Sequence, residues 1–322
     1  MCSDPRMQAA PFGNTGIEVS RLCVGTLTAS RWHRGLSPQQ AAKVYRAAVA
    51  AGVNFFDTAK IYGTYAHLAA LLQTVPRHEV VLASKSYAVT GDEARRDVED
   101  ALLQLGTTYI DIFLLHEQES AHTLRGHREA LLELHRLRER GVIRAAGLST
   151  HCVEGVLAAC AEPLIEVICP LLNIDGTGIV GGDREAMLSA IAAAHECGKA
   201  VYAMKPLAGG HLAGRAEEAL AFVRDIPYIH AVAVGIGGEA ELAFALSVLA
   251  GSAIPQSVRS AVAGAVRRLV VEPWCDGCGQ CVEACGHDAL RLESGVLRVD
   301  EQRCVLCGYC AARCPHFHLK VV

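Results

Sequence analysis

Short apolar runs alternate with amphipathic stretches from Arg21 to Ala250. A run such as Ile110-Asp111-Ile112-Phe113-Leu114-Leu115 is apolar almost throughout, which suits a parallel strand covered on its outside. The pattern predicts eight strands: Arg21–Thr26, Val53–Asp57, Glu79–Ser84, Ile110–Leu115, Ile143–Leu148, Ile165–Pro170, Ala200–Met204 and His230–Val234. Helical patterns fill the gaps. They fall at Ser37–Ala51, Tyr65–Leu72, Glu93–Leu105, Thr123–Arg140, Val153–Ala161, Arg184–Cys197, Ala216–Val223 and Glu239–Leu249. Ser37-Pro38 supplies a good N-cap and first position for the first helix. A last helix is expected over Gln256–Leu269.

Such a series allows a doubly wound sheet or a closed barrel. Regular units of about 30 residues favour an α/β fold of the (β/α)8 TIM-barrel type. Of the 322 residues, a 52-residue tail starts at Val271 and leaves 270, the usual size of such a barrel. The expected domains are therefore 1–270 and 271–322. The formal charge of -4 is mild and argues against a nucleic-acid partner. No apolar run reaches the ~18–20 residues of a membrane span. Met1–Pro11 has no basic stretch leading into an apolar core and a small-residue cleavage site. A cytoplasmic location is the expectation.

The tail changes the picture. Eight of the 14 cysteines form two runs there. One is Cys275, Cys278, Cys281 and Cys285; the other is Cys304, Cys307, Cys310 and Cys314, followed by Pro315. This is the ligand pattern of a bacterial-type ferredoxin with two [4Fe-4S] clusters, in which the fourth cysteine of each run crosses to the other cluster. Cys275, Cys278, Cys281 and Cys314 would hold one cluster, and Cys304, Cys307, Cys310 and Cys285 the other. A small α+β ferredoxin-like domain is expected. Four thiolates saturate a tetrahedral zinc, so a third cysteine at the same short step has no job there. A disulfide framework would need an oxidising compartment. Cys285-Gly286 departs from the usual Cys-Pro. Cys2, Cys23, Cys152, Cys160, Cys169 and Cys197 are scattered, and most of them read as buried small apolar residues. The tail carries five basic and seven acidic residues, and loaded clusters add negative charge, so an external one-electron carrier with a basic patch would suit it.

Polar residues stand where a barrel places chemistry, at the C-terminal ends of strands: Asp57, Lys85, His116, Ser149-Thr150-His151 and Lys205, with Tyr62 in the loop after Asp57. Phe56-Asp57-Thr58-Ala59, followed by Tyr62-Gly63, resembles a motif of the aldo/keto reductase superfamily. Gly13–Ser20 resembles its N-terminal hairpin cap. Met204-Lys205-Pro206-Leu207-Ala208-Gly209-Gly210 resembles the branch fused to iron–sulfur modules. The resemblance covers roughly 11–250. It implies a catalytic set of Asp57, Tyr62, Lys85 and His116, acting on a small carbonyl or alcohol. It also points to Gly25, Thr26, Ser149, Thr150, Lys205, Leu207 and Gly235 as contacts for NAD(H) or NADP(H).

The chemistry makes sense of the set. Reducing a carbonyl needs a hydride on carbon and a proton on oxygen. A tyrosine with reference pKa about 10 is a poor acid. A lysine ammonium beside it would lower that pKa, with Asp57 holding Lys85 and His116 bonding the substrate oxygen. The nucleotide end departs from the family. Gly237 stands for an arginine and Ala245 for an asparagine, and Glu239 and Glu241 add negative charge. The site reads as weakened for NADPH. Hydride carries two electrons and a cluster takes one, so a flavin is not excluded as the converter. Two further readings stay open: a nicotinamide-free enzyme fed by the clusters, and a non-catalytic electron carrier with the barrel as scaffold.

Overall fold

The computed structural model describes residues 6–322. Residues 1–5 lie outside the described residues, and with them Cys2 and the start of the Met1–Pro11 segment read above for a leader.

A hairpin of β1 (Ala9–Pro11) and β2 (Glu18–Ser20) opens the chain. Eight parallel strands then close into a barrel: β3 (Leu22–Gly25), β4 (Phe55–Asp57), β5 (Val81–Ser86), β6 (Ile110–Leu115), β7 (Ile143–Thr150), β8 (Val167–Pro170), β9 (Ala200–Met204) and β10 (Ala231–Gly235). The last pairs back onto the first. The helices are α1 (Pro38–Ala50), α2 (Tyr65–Leu72), α3 (Gly91–Leu105), α4 (Ala121–Gly126), α5 (Arg128–Glu139), α6 (Val153–Ala161), α7 (Arg184–Glu196), α8 (Ala216–Arg224), α9 (Glu239–Leu249) and α10 (Gln256–Ala263).

Side-chain alternation explains the closure. Leu22 and Val24 of β3 pack with the surrounding helices, while Cys23 joins the barrel interior. Ile112, Leu114, Phe55, Cys169 and Tyr202 fill that interior. Phe12, next to the hairpin, plugs one end, with its ring 5.7 Å from Phe55 and 5.6 Å from His230. Asp111, the one charge in β6, is buried. It accepts from Arg77 Nη2 at 2.6 Å, Arg144 Nη1 at 2.8 Å and the Leu82 N–H at 3.0 Å. Removing one partner of a buried pair strands the other charge. Asp111→Ala should therefore cost about 3 kcal/mol, read as a lower urea midpoint. An unchanged midpoint would mean that Arg77 needs no carboxylate.

Two expected helices differ. Thr123–Arg140 is two helices, α4 and α5, broken at His127. The His127 Nδ1 donates to the Ala88 carbonyl at 2.8 Å, which fixes the break against the loop after β5. Gln256–Leu269 stops at Ala263, because residues from Leu269 are drawn into a strand.

The tail contains β11 (Leu269–Val271), α11 (Gln280–Glu283), β12 (Leu290–Glu293), β13 (Val296–Val299), α12 (Tyr309–Arg313) and β14 (Leu319–Val321). β11 pairs antiparallel with β14 and straddles the expected boundary at 270/271. Phe317, Leu319 and Val321 pack against Leu171, Ala208 and Leu212, so the tail covers the C-terminal mouth of the barrel. Gly210 has φ +91°, and a Cβ there would run into the Val321 carbonyl. The β14 backbone thus lies directly on the loop after β9. No described helix is long and apolar enough to cross a membrane.

Candidate active site and cluster recesses

Asp57 ends β4, and Lys85 sits near the end of the neighbouring β5. The Lys85 ammonium donates to Asp57 Oδ1 and Oδ2, both at 2.7 Å, and to the Thr58 carbonyl at 2.8 Å. All three of its hydrogens are committed. The Tyr202 hydroxyl donates to Asp57 Oδ2 at 2.8 Å. Tyr62, in a short turn after β4, is half-buried. Its ring centroid is 5.2 Å from Lys85 Nζ and 5.9 Å from the His116 ring.

The surroundings of the phenol act on it in the opposite direction from a neighbouring cation. Burial, with the Asp57 and Glu117 carboxylates, pushes the Tyr62 phenol well above its ordinary 10. Lys85 lies over the ring face, with its charge answered by Asp57. Tyr62 therefore rests as a neutral phenol, the form that can give a proton. His116 follows β6, stacks on Tyr87 at 4.5 Å and has no partner for Nδ1. Burial pushes it down to about 3, so it is uncharged near neutrality.

Two residues beside this set went unread in the sequence. The Tyr87 hydroxyl donates to Glu117 Oε2 at 2.5 Å. Burial would raise the Glu117 carboxyl, whereas the nearby Lys205 and the Tyr87 hydroxyl favour its charged form. Glu117 has φ +51°, a strained value for a side chain larger than glycine. Adjacency to Lys85-Ser86 and to His116 was the available signal.

A cavity of about 210 Å³ has Asp57, Tyr62 and Lys85 in its walls. It runs past Gly25, Gly235, Lys205 and Leu207 to Ala245 and Arg267. Gly25 and Gly235 are register partners on β3 and β10. Lys320, Val321 and Val322 of the tail complete the wall. Three of the expected nucleotide contacts are not in the wall. Thr26 Oγ1 is bonded to Thr64 Oγ1 at 2.7 Å. Ser149 Oγ accepts the Glu117 N–H at 2.9 Å, and Thr150 Oγ1 accepts the Cys152 N–H at 2.9 Å. These hydroxyls hold the strand ends in shape.

The start of α9 is filled from within. Glu241 Oε2 accepts the Gly237 N–H at 2.8 Å, and Glu241 Oε1 pairs with Arg34 Nη2 at 2.5 Å. A carboxylate thus occupies the kind of helix N-terminus that binds phosphate. Arg34, from the loop after β3, lies against Gly237. An arginine therefore does reach the place where the family pattern lacked one, but Glu241 already holds it.

The tail cysteines stand around two recesses. Cys275, Cys278, Cys281 and Cys314 line one, with Leu297 and Leu319. Cys285, Cys304, Cys307 and Cys310 line the other, with Leu290 and Leu306. Among the described residues, no three Cys, His, Asp or Glu side chains converge as a single ion would require. Four sulfurs around an apolar recess fit a cluster better than a lone zinc. Gly279 and Gly308, with φ +82° and +84°, turn the chain just after Cys278 and Cys307.

Residues 21–227 match the model of the aldo/keto reductase family. The chain belongs to that family. Residues 274–317 of this aldo/keto reductase match a 4Fe-4S dicluster domain. An oxidoreductase of Bacillus subtilis is 28% identical over 235 residues, covering 65% of this chain and 69% of that one. A 6-dehydroglucose reductase of Novosphingobium aromaticivorans is 30% identical over 166 residues, covering 46% and 53%. The matches thus span between half and somewhat over two thirds of these relatives. A solved aldo-keto reductase from Pseudomonas aeruginosa is 28% identical, with TM-score 0.65, covering 76% of this chain and 94% of that one. One from Bacillus halodurans, at 18% identity and TM-score 0.65, shares the fold.

Proposed function

We propose that this aldo/keto reductase interconverts a small carbonyl and its alcohol, with Tyr62 as proton donor. Residues 1–270 would form the catalytic unit and 271–322 the electron-carrying unit. One observation carries the reading: the Asp57–Lys85 pair and Tyr62 share a cavity whose wall is completed by the iron–sulfur domain's own last strand. Bound clusters would supply electrons one at a time, exchanged with an external carrier. The protein's own work is positional and protonic. Two electrons and two hydrogens are needed in all: a bound nicotinamide would supply the hydride for carbon, and Tyr62 gives the oxygen its proton. Lys85, locked on Asp57, places a cation beneath the ring. Uncharged His116 is not in the cavity wall but stands behind Tyr62, 5.9 Å from its ring, where it would reach the substrate oxygen only past that ring. Tail residues keep water from the cavity.

Family membership implies a nicotinamide. The residues at the nucleotide end do not fit a 2′-phosphate, because Glu241 holds Arg34 and caps Gly237. NADPH should therefore bind no better than NADH. A missing charged partner is worth about 1.5–3 kcal/mol, or more than tenfold in affinity. The strand on Gly210 also favours the second reading, in which electrons arrive only through the clusters. Anaerobic titration with NADH and NADPH, followed by the cluster absorption, tests both. Tight, NADPH-selective binding would overturn the cofactor proposal. Bleaching by either nucleotide would sink the nicotinamide-free version.

A further inference from the structure

Two lysines meet at the cavity from opposite domains. Lys205 follows β9, and Lys320 lies in β14; both are in the cavity wall with Tyr62. Both gather around the Phe317 ring, Lys320 Nζ at 3.9 Å and Lys205 Nζ at 5.3 Å from its centroid. Lys205 has φ +59°, an unfavourable backbone for a lysine, held immediately before Pro206. Lys205 Nζ donates to His151 Nε2 at 2.7 Å, and Lys320 Nζ donates to the Phe317 carbonyl. Among the described residues, neither lysine has a carboxylate within ion-pair distance, 4.0 Å.

Neither nearby carboxylate pairs with them, although Glu272 Oε2 is buried without a hydrogen-bond partner. Glu117 takes the Tyr87 hydroxyl and faces His151 at 3.8 Å. Glu272 Oε1 accepts from His33 Nε2 at 2.9 Å. Lys320 is only 5% exposed. A buried ammonium without a close counter-ion is costly, and a second cation in the same cavity wall adds to that cost. Burial first, and Lys205 next, hold the Lys320 amine well below its ordinary 10.5. An anion in the cavity they both line would relieve both.

We propose that Lys205 and Lys320 bind the carboxylate of the substrate, so that this enzyme acts on an oxo or hydroxy acid rather than a neutral carbonyl. The inference rests on the reading of the cavity as the substrate site. A carboxylate is favoured over a dinucleotide phosphate. Glu241 caps the start of α9, and β14 lies against the loop after β9, which narrows the path of a dinucleotide. Placing the pair on two domains also makes the iron–sulfur domain part of substrate recognition.

The test is direct binding to the cluster-loaded full chain by calorimetry. The probes are 2-oxo acids of three to eight carbons, each beside its own amide. The best acid should bind at least about tenfold more tightly than its amide, the effect of a lost charge-assisted contact. Lys205→Met and Lys320→Met should each remove that preference and leave amide affinity as it was. Lys320→Arg should keep it, and it guards against a folding defect in the methionine variant. Tyr62→Phe should also keep it, which separates this proposal from the catalytic one. If no pair in the series discriminates, the proposal is wrong. It is equally wrong if Lys320→Met shifts only the cluster potential, since Lys320 would then serve the Cys314 side. Lys320-dependent binding of pyrophosphate without acid preference would reassign the pair to a phosphate.

Discussion

Tyr62→Phe should reduce turnover by about 10²–10⁴-fold, the usual effect of losing a general acid. The cluster absorption should not change, because Tyr62 is remote in sequence from every tail cysteine and stands on the barrel side of the cavity. The loss should be in kcat rather than in substrate binding. The pH profile should separate this acid from a surface tyrosine. Burial and the Asp57 and Glu117 carboxylates hold the phenol well above 10. An acid works while protonated and fails as pH rises through its pKa, so no fall should come from Tyr62 up to about pH 9. Near-full activity in Tyr62→Phe would leave the barrel as a scaffold.

The second large effect concerns iron. Anaerobic protein should hold about eight iron and eight sulfide per chain. The recesses pair Cys314 with Cys275, Cys278 and Cys281, and Cys285 with Cys304, Cys307 and Cys310. Cys314→Ala and Cys285→Ala should therefore each lose about four irons, from different clusters. Double variants give the sharper result. Cys275→Ala with Cys314→Ala should lose no more than either change alone. Cys275→Ala with Cys285→Ala should lose nearly all the iron. The opposite pattern would assign each run to its own cluster.

Much of this was readable because strand and helix periods are local. All eight barrel strands were legible, since parallel strands covered by helices are apolar along their length. The placing of Asp57, Lys85 and His116 at or just after strand ends was legible too, because a barrel puts its polar residues there. The Thr123–Arg140 helix was misread because its break comes from His127 bonding Ala88, a contact far off in sequence. Leu269–Val271 was misread for the same kind of reason: its strand exists only through Leu319–Val321. Thr26, Ser149 and Thr150 stand at positions the resemblance gave to the nucleotide, but their hydroxyls turn to Thr64 and to local backbone. Lys320 gave no signal at all. A lysine near the end of a ferredoxin-like tail reads as solvated, and only docking buries it.

Where the clusters order the tail, that docking would tie metal supply to the finishing of the active site. β11 and β14 flank all eight cluster cysteines, and β14 carries Lys320 into the cavity. Ligand sites of this kind commonly order their domain only when filled. A newly made chain without iron would then have a complete barrel with an open mouth. Its chemistry would start when the ribbon closes. Iron scarcity would set the number of finished enzyme molecules directly, with no separate sensor in between.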